Sequence, residues 1–129
     1  MPRFVILEHI CHDRSHWDLM LQSGSILATW QVPLPPTNWP DTDVICTLLP
    51  PHRPAYLDYQ GPVSNDRGQV RRCAAGDYQL LNKQKKTWLV QLTGGTISGR
   101  LQLKQISHDQ WKLLFQGECS CYDLPASDS

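Results

Sequence analysis

The sequence predicts an all-β protein, a compact closed or crescent-shaped β-barrel of about eight to ten short strands with little helix. Short apolar or alternating runs recur roughly every ten residues, as in a β-meander. Turn-forming residues separate the runs, and neither a heptad pattern nor an internal repeat interrupts them. Because so many short strands would leave exposed edges, the sheet is expected to close on itself.

The N-terminal half begins with three strand-like runs separated by polar turns. Prolines then dominate residues 33–43 and 50–54, which are predicted to be stiff loops, since proline donates no hydrogen bond to a sheet. Two further apolar runs accompany these loops. The predicted strands of this half are FVILEH (4–9), HWDLMLQ (16–22), ILATWQV (26–32), VICTLL (44–49) and AYLDYQG (55–61).

The C-terminal half repeats the same rhythm, with turns at NKQKK, TGG and SHD. We expect a single domain over residues 1–122 and a flexible tail at 123–129. The predicted strands of this half are QVRRCA (69–74), DYQLL (77–81), TWLVQL (87–92), GRLQLKQI (99–106) and QWKLLFQG (110–117).

Composition narrows the classes of function. Twelve basic and twelve acidic residues cancel, so any phosphate-binding face has to be local. Five cysteines at irregular spacing argue against a disulfide framework and suit a reducing compartment. With no signal peptide and no membrane-spanning run in the sequence, a cytoplasmic, monomeric protein is expected.

Histidines and carboxylates concentrate in the segment EHICHDRSHWD, residues 8–18. On a strand, side chains two positions apart share a face, so His16 and Asp18 are expected to converge. His9 becomes the third ligand if the two strands pair, and His12 in the turn is the alternative. Two imidazoles and a carboxylate form the ligand set of a catalytic metal site. The competing interpretation is a hairpin whose solvated face happens to carry these polar residues.

A second polar cluster occupies residues 51–62, PHRPAYLDYQGP. It contains His52, Tyr56, Asp58 and Tyr59 beside a loop braced by proline, which is suited to holding an imidazole and a phenol in fixed positions. The sequence offers no serine nucleophile motif, so attack by water activated at a metal is the simpler hydrolytic mechanism.

These motifs, in this order, resemble the 3'-phosphoesterase domain of bacterial DNA ligase D. The resemblance rests on RFVILEH, SHWDLMLQ, LATWQVP, HRPAYLDYQG and the closing WLVQL, SGRLQL and QWKLLF, and it spans about residues 3–116. It implies a crescent-like barrel and a manganese-dependent enzyme, with zinc or another transition metal as alternatives. It also implies that the substrates are nucleic-acid 3' ends, from which a terminal ribonucleoside and then a 3'-phosphate are removed, in concert with a ligase or polymerase.

Residue by residue, the resemblance implies that His9, His16 and Asp18 bind the metal. It further implies that His52 and Tyr56 contact the scissile phosphate, where we expect the imidazole to donate a hydrogen bond and the phenol to orient the group.

Three positions depart from the family pattern. Met20 replaces an arginine that would grip phosphate oxygens, Leu34 replaces a lysine, and Pro50 stands where a carboxylate is common. The spacing from His9 to His16 is also one residue longer than usual. These changes remove charged groups from the phosphate-binding side. The alternative function is therefore an accessory module that binds nucleic acid or metal without turnover. A third possibility is metal-dependent chemistry on a substrate other than nucleic acid.

The basic segment NDRGQVRR, residues 65–72, offers replacement cations. Arg67 and Arg71 are the candidate substrate-binding residues, although Arg71 and Arg72 should point to opposite faces of a strand. The alternative is an edge strand protected by charge.

Overall fold

The computed structural model describes residues 1–12, 14–63 and 68–120. Within these residues the chain forms nine β-strands and two short 3₁₀ helices, Pro36–Asn38 and Pro54–Leu57. The strands are β1 (Arg3–Cys11), β2 (Arg14–Ser23), β3 (Ile26–Val32), β4 (Asp43–His52), β5 (Gly61–Pro62), β6 (Gln69–Gln84), β7 (Thr87–Gly94), β8 (Ile97–Gln105) and β9 (Gln110–Cys119).

Eight of these strands close into an antiparallel barrel. The order around it is β1-β2-β3-β4-β9-β8-β7-β6, and the pairing of β6 with β1 completes the circle. The short β5 adds to the outside of this ring by pairing with the start of β6. The predicted all-β barrel is therefore confirmed. Within the described residues, no helix has the length and apolar character needed to cross a bilayer.

The barrel interior is filled by side chains. Trp30 lies at its centre and meets Trp88 and Trp111 edge to face, with ring centroids 5.5 and 5.6 Å apart. Leucines, valines and phenylalanines from the eight strands surround these rings, and Trp39 from the proline-rich loop is also fully buried among them. In the described residues this interior is therefore a packed core.

A second, smaller core lies on the outer face of the barrel. Side chains of alternate parity on β1, β2 and β3 point outward there, because successive side chains of a strand face opposite ways. The chain that follows β4 crosses over them and contributes Leu57 from the second 3₁₀ helix. The buried members of this outer core are Val5, Leu7, Met20, Leu27, Leu57 and Val70.

The structure corrects three predicted elements. Residues 55–61 are mainly a 3₁₀ turn and not a strand, because Pro54 opens the helix and Leu57 gains burial in the outer core. The runs at 69–74 and 77–81 are one continuous strand, β6. Pro50 lies inside β4, where a register shift opposite Leu27–Thr29 accommodates a residue that cannot donate to the ladder.

Candidate metal centre

The β1–β2 hairpin sets the geometry of the first polar cluster. Cys11 pairs with Arg14, so the turn is tight, and His12 adopts the positive φ of 59° that such turns require. This register places His9 directly opposite His16. Both side chains point to the outer face of the barrel, and the two imidazoles therefore lie side by side.

Asp18 lies two residues beyond His16 on the same face and completes the cluster. The His9 Nδ1 and His16 Nε2 atoms are 3.1 Å apart, and His16 Nε2 is 3.6 Å from the Asp18 carboxylate. One donor atom from each of the three residues falls within 4.8 Å of the others. In the described part of the chain this is the one such group of histidine, cysteine and carboxylate side chains.

The Asp18 carboxylate is buried in an unusual way. The residue is 4% exposed, and its Oδ1 atom has no hydrogen-bond partner among the described residues. Burial raises the pKa of this carboxyl to about 6, while the nearby His9 acts to lower it. A buried carboxylate oxygen beside two imidazole nitrogens is a donor set that fits a divalent transition metal, which would supply the missing partner.

The same desolvation acts on the imidazole beside it. Burial lowers the pKa of His16, and the charge of His9 lowers it further. Both effects favour the neutral imidazole, which is the form that donates a lone pair to a metal.

His52 and Tyr56 lie together at the end of β4 and in the 3₁₀ turn that follows. Their rings meet edge to face, with centroids 5.4 Å apart, and His52 Nδ1 lies 3.1 Å from the Pro50 carbonyl oxygen. Burial lowers the pKa of His52, the bond to Pro50 opposes this, and the charge of His9 lowers it again.

Two arginines fasten the 3₁₀ turn to the barrel. Arg3 of β1 binds Asp58 at 2.8 Å, and Arg72 of β6 donates to the Leu57 carbonyl at 3.1 Å and lies 4.0 Å from Asp58. The hydrogen bond from Arg3 lowers the pKa of Asp58. Sequence reasoning missed this role of Arg3 and Arg72, because the two arginines reach the turn through strand pairings distant in the chain.

Asp58→Asn is expected to loosen this turn without changing global stability measurably, since the ion pairs are exposed and such pairs contribute little. Hydrogen exchange of the Tyr56 and Asp58 amides, which bond the Arg53 and Ala55 carbonyls, should accelerate several-fold. The matched control is Asp43→Asn, which removes an exposed carboxylate paired with Lys112. Equal exchange at these amides in both variants would contradict a fastening role.

The structure groups His9, His16 and Asp18 in one cluster and pairs His52 with Tyr56 in a second, and it separates the other predicted residues. His12 is exposed in the turn and is not part of the three-residue cluster. Arg71 forms an ion pair with Glu8, which precedes His9 on β1 and therefore faces the opposite side of the sheet. Arg71 thus lies on the face away from the metal cluster. Arg67 lies outside the described residues. Met20 is 1% exposed within the outer core, and Leu34 packs against the interior core.

Fold and cluster together define the class: a small antiparallel β-barrel with two imidazoles and a carboxylate grouped on its outer wall. The model of the DNA ligase D 3'-phosphoesterase domain matches residues 8–118. The chain belongs to this family, as its motifs predicted, and its function is phosphoesterase-like.

Curated relatives agree with this assignment. The chain is 30% identical over 118 residues to the multifunctional non-homologous end joining protein LigD of Mycobacterium bovis. It has the same identity, over the same length, to the multifunctional non-homologous end joining DNA repair protein LigD of Mycobacterium tuberculosis. Each match covers 84% of this chain and 15% of the relative, so the chain spans about a seventh of the length of these proteins.

Proposed function

We propose that this protein is a metal-dependent phosphoesterase that hydrolyses 3'-terminal phosphoesters of nucleic acid. Membership of the DNA ligase D 3'-phosphoesterase family supports the reaction class, and the names of the relatives place them in DNA end joining. The observation that carries the proposal is the unpartnered, buried Asp18 oxygen converging with the two imidazole nitrogens. Manganese is the preferred ion on the strength of the resemblance, with zinc or another transition metal as alternatives.

His9, His16 and Asp18 hold the ion in this proposal. A divalent cation there supplies positive charge to a phosphate oxygen and the acidity that activates water. The barrel wall fixes the three ligands on rigid strands, and burial keeps His16 neutral and water away from Asp18. Because such ligands are preorganised, the free-energy cost of rearranging them when substrate binds is small.

His52 and Tyr56 act on the phosphate. The Pro50 carbonyl can only accept a hydrogen bond, so His52 Nδ1 is the donor to it and Nε2 is left to face substrate. Once the phosphate dianion binds, its negative charge favours the protonated imidazole, and Nε2–H donates a charge-assisted hydrogen bond to a phosphate oxygen. The Tyr56 phenol, fixed against the same imidazole, donates a second hydrogen bond that orients the group.

The choice of third ligand has a direct test with a matched pair. His9→Ala is expected to weaken manganese binding about 100-fold or more, because it removes one of three ligands, whereas His12→Ala removes an exposed imidazole and should leave binding unchanged. Isothermal titration of manganese into each purified variant measures this. The reverse ranking would assign the third position to His12 and overturn the cluster as described.

Activity is tested separately from metal binding. The full chain is incubated with manganese and a primer ending in a ribonucleotide, or in a 3'-phosphate, and the shortened and dephosphorylated products are separated by electrophoresis. We expect both products with wild-type protein and neither after chelation of the metal. Absence of turnover with manganese, zinc or cobalt would overturn the proposal.

Burial of Met20 supports a second candidate function. Met20 stands where the resemblance places an arginine, and it is 1% exposed in the outer core. An accessory module that binds a nucleic-acid end and a metal without hydrolysing the ester fits this observation. Tight, salt-dependent binding of the 3'-phosphorylated primer without turnover would favour this second function.

A further inference from the structure

A cleft of about 280 Å³ opens next to the 3₁₀ turn that carries Tyr56. None of the three metal-cluster residues lines it, but Tyr56 does, so the cleft adjoins the place where the proposed function puts the phosphate. Its volume lies just below the range of about 300 to 1,000 Å³ typical of small-molecule sites. The lining residues are Arg53, Ala55, Tyr56, Tyr59, Pro62 and Val63.

Tyr59 presents a fixed aromatic surface in this cleft. Its hydroxyl donates to the Pro62 carbonyl, and its ring meets Tyr56 edge to face with centroids 6.0 Å apart. The residue nevertheless remains 38% exposed. An aromatic ring that is held at both ends yet open to solvent can stack a flat ligand at a small entropic cost.

Arg53 supplies a cation to the same cleft. The residue is exposed, and in the described part of the chain it takes part in no ion pair. Ala55, Pro62 and Val63 add apolar side chains to the lining of the same cleft. The cleft therefore combines a flat aromatic surface, apolar walls and one positive charge, which complements a nucleobase attached to a phosphorylated sugar.

We propose that this cleft is a nucleotide subsite, in which the base of the 3'-terminal nucleotide stacks on Tyr59 and Arg53 contacts the next backbone phosphate. The inference rests on the proposed function, since it takes the terminal phosphate to lie at His52 and Tyr56. Stacking recognises the plane of a base and not its hydrogen-bonding edge, so all four bases are accepted. The subsite selects nucleotides over other phosphate esters.

Equilibrium binding of two 3'-phosphorylated primers tests the subsite. One primer ends in a normal nucleotide and the other in an abasic residue, and fluorescence anisotropy is recorded with EDTA so that no hydrolysis occurs. Wild-type protein is expected to prefer the base-bearing primer by about tenfold, within the range measured for base–aromatic stacking. Tyr59→Ala should bring this ratio close to one, and Tyr59→Phe should recover most of it.

The ratio of the two affinities separates stacking from a general effect on folding, because a folding defect would weaken the binding of both primers equally. Equal binding of the two primers by wild-type protein, absence of binding to either, or an unchanged ratio in Tyr59→Ala overturns the subsite. A base preference without hydrolysis in manganese, zinc or cobalt would instead overturn the proposed function and leave the subsite standing.

The charge of Arg53 is tested by salt dependence. Arg53→Gln should reduce the slope of log affinity against log salt concentration by about one, because one phosphate contact is lost. Lys85→Gln at the β6–β7 turn, which removes an exposed charge away from the cleft, is the matched control. An equal change of slope in the two variants would overturn the phosphate contact at Arg53.

Discussion

Asp18→Asn is expected to abolish manganese-dependent hydrolysis while making the metal-free protein more stable. The carboxylate is 4% exposed, and one of its oxygens has no hydrogen-bond partner among the described residues, so desolvation of this charge destabilises the folded protein. Asparagine has nearly the same shape and no charge. The free energy of unfolding of the metal-free Asp18→Asn variant at pH 7 should exceed that of wild type by roughly 1 to 3 kcal/mol, as expected for removal of a carboxyl whose pKa is raised to about 6.

The loss of activity in Asp18→Asn has a separate physical cause. An amide oxygen is a weaker ligand than a carboxylate and leaves the bound ion with one more positive charge to be balanced by substrate. We expect a decrease in kcat of about 10²-fold or more. Chemical denaturation measures stability, and added manganese at 100-fold its Kd should stabilise wild type by about 2.7 kcal/mol while stabilising the variant much less.

Two results would contradict this prediction. A variant that is less stable than wild type without metal would mean that the carboxylate has a structural partner. A variant with the same manganese-dependent stabilisation as wild type would mean that the ion binds elsewhere.

Met20→Arg, which introduces the family arginine, is expected to destabilise the protein without increasing activity. Met20 is 1% exposed and packs among Val5, Leu7 and Leu27 in the outer core. Moving a guanidinium from water into these aliphatic surroundings is costly, so the free energy of unfolding should fall by about 3 kcal/mol. Urea denaturation of the metal-free protein measures the effect.

Met20→Leu is the matched control, because it nearly conserves volume and polarity and should cost less than about 1.5 kcal/mol. Comparison of the two variants isolates the charge from the change in packing. Unchanged stability together with faster hydrolysis in Met20→Arg would show that the longer side chain leaves the outer core and reaches the phosphate.

The part of the site that sequence predicted is the part encoded locally. Alternation along one strand sufficed to put His16 and Asp18 on the same face, and the structure bears this out. The choice between His9 and His12 required the register of the hairpin, which a tight turn fixes by pairing Cys11 with Arg14. The sequence offers His9 and His12 as candidates, and the pairing of β1 with β2 decides which imidazole lies beside His16.

Alternation predicted that Arg71 and Arg72 face opposite ways, which the structure confirms, but local patterns could not tell which of the two lies beside the 3₁₀ turn. At a register shift in β1, Ile6 pairs with Ala74 while Leu7 pairs with Arg72, so the alternation of β6 changes at that point. As a result Arg72 reaches the Leu57 carbonyl beside the site, whereas Arg71 pairs with Glu8 on the other face. A one-residue irregularity in a distant strand is invisible to periodicity within the strand.

The predicted strand at 55–61 is wrong for a related reason. Its alternating apolar and polar residues are typical of a strand, but Pro54 favours a helical first turn. Burial of Leu57 against the barrel wall stabilises that turn. Tertiary packing outweighed local propensity there.

The tryptophan-filled lumen has a consequence for how ligands approach. Because the interior is packed in the described residues and the imidazole and carboxylate groups lie on the outer wall, a ligand of these groups would approach laterally, from bulk solvent. The terminus of a long polymer can therefore dock while the remainder stays outside, with no need for threading, and polymer length imposes no steric limit at this surface.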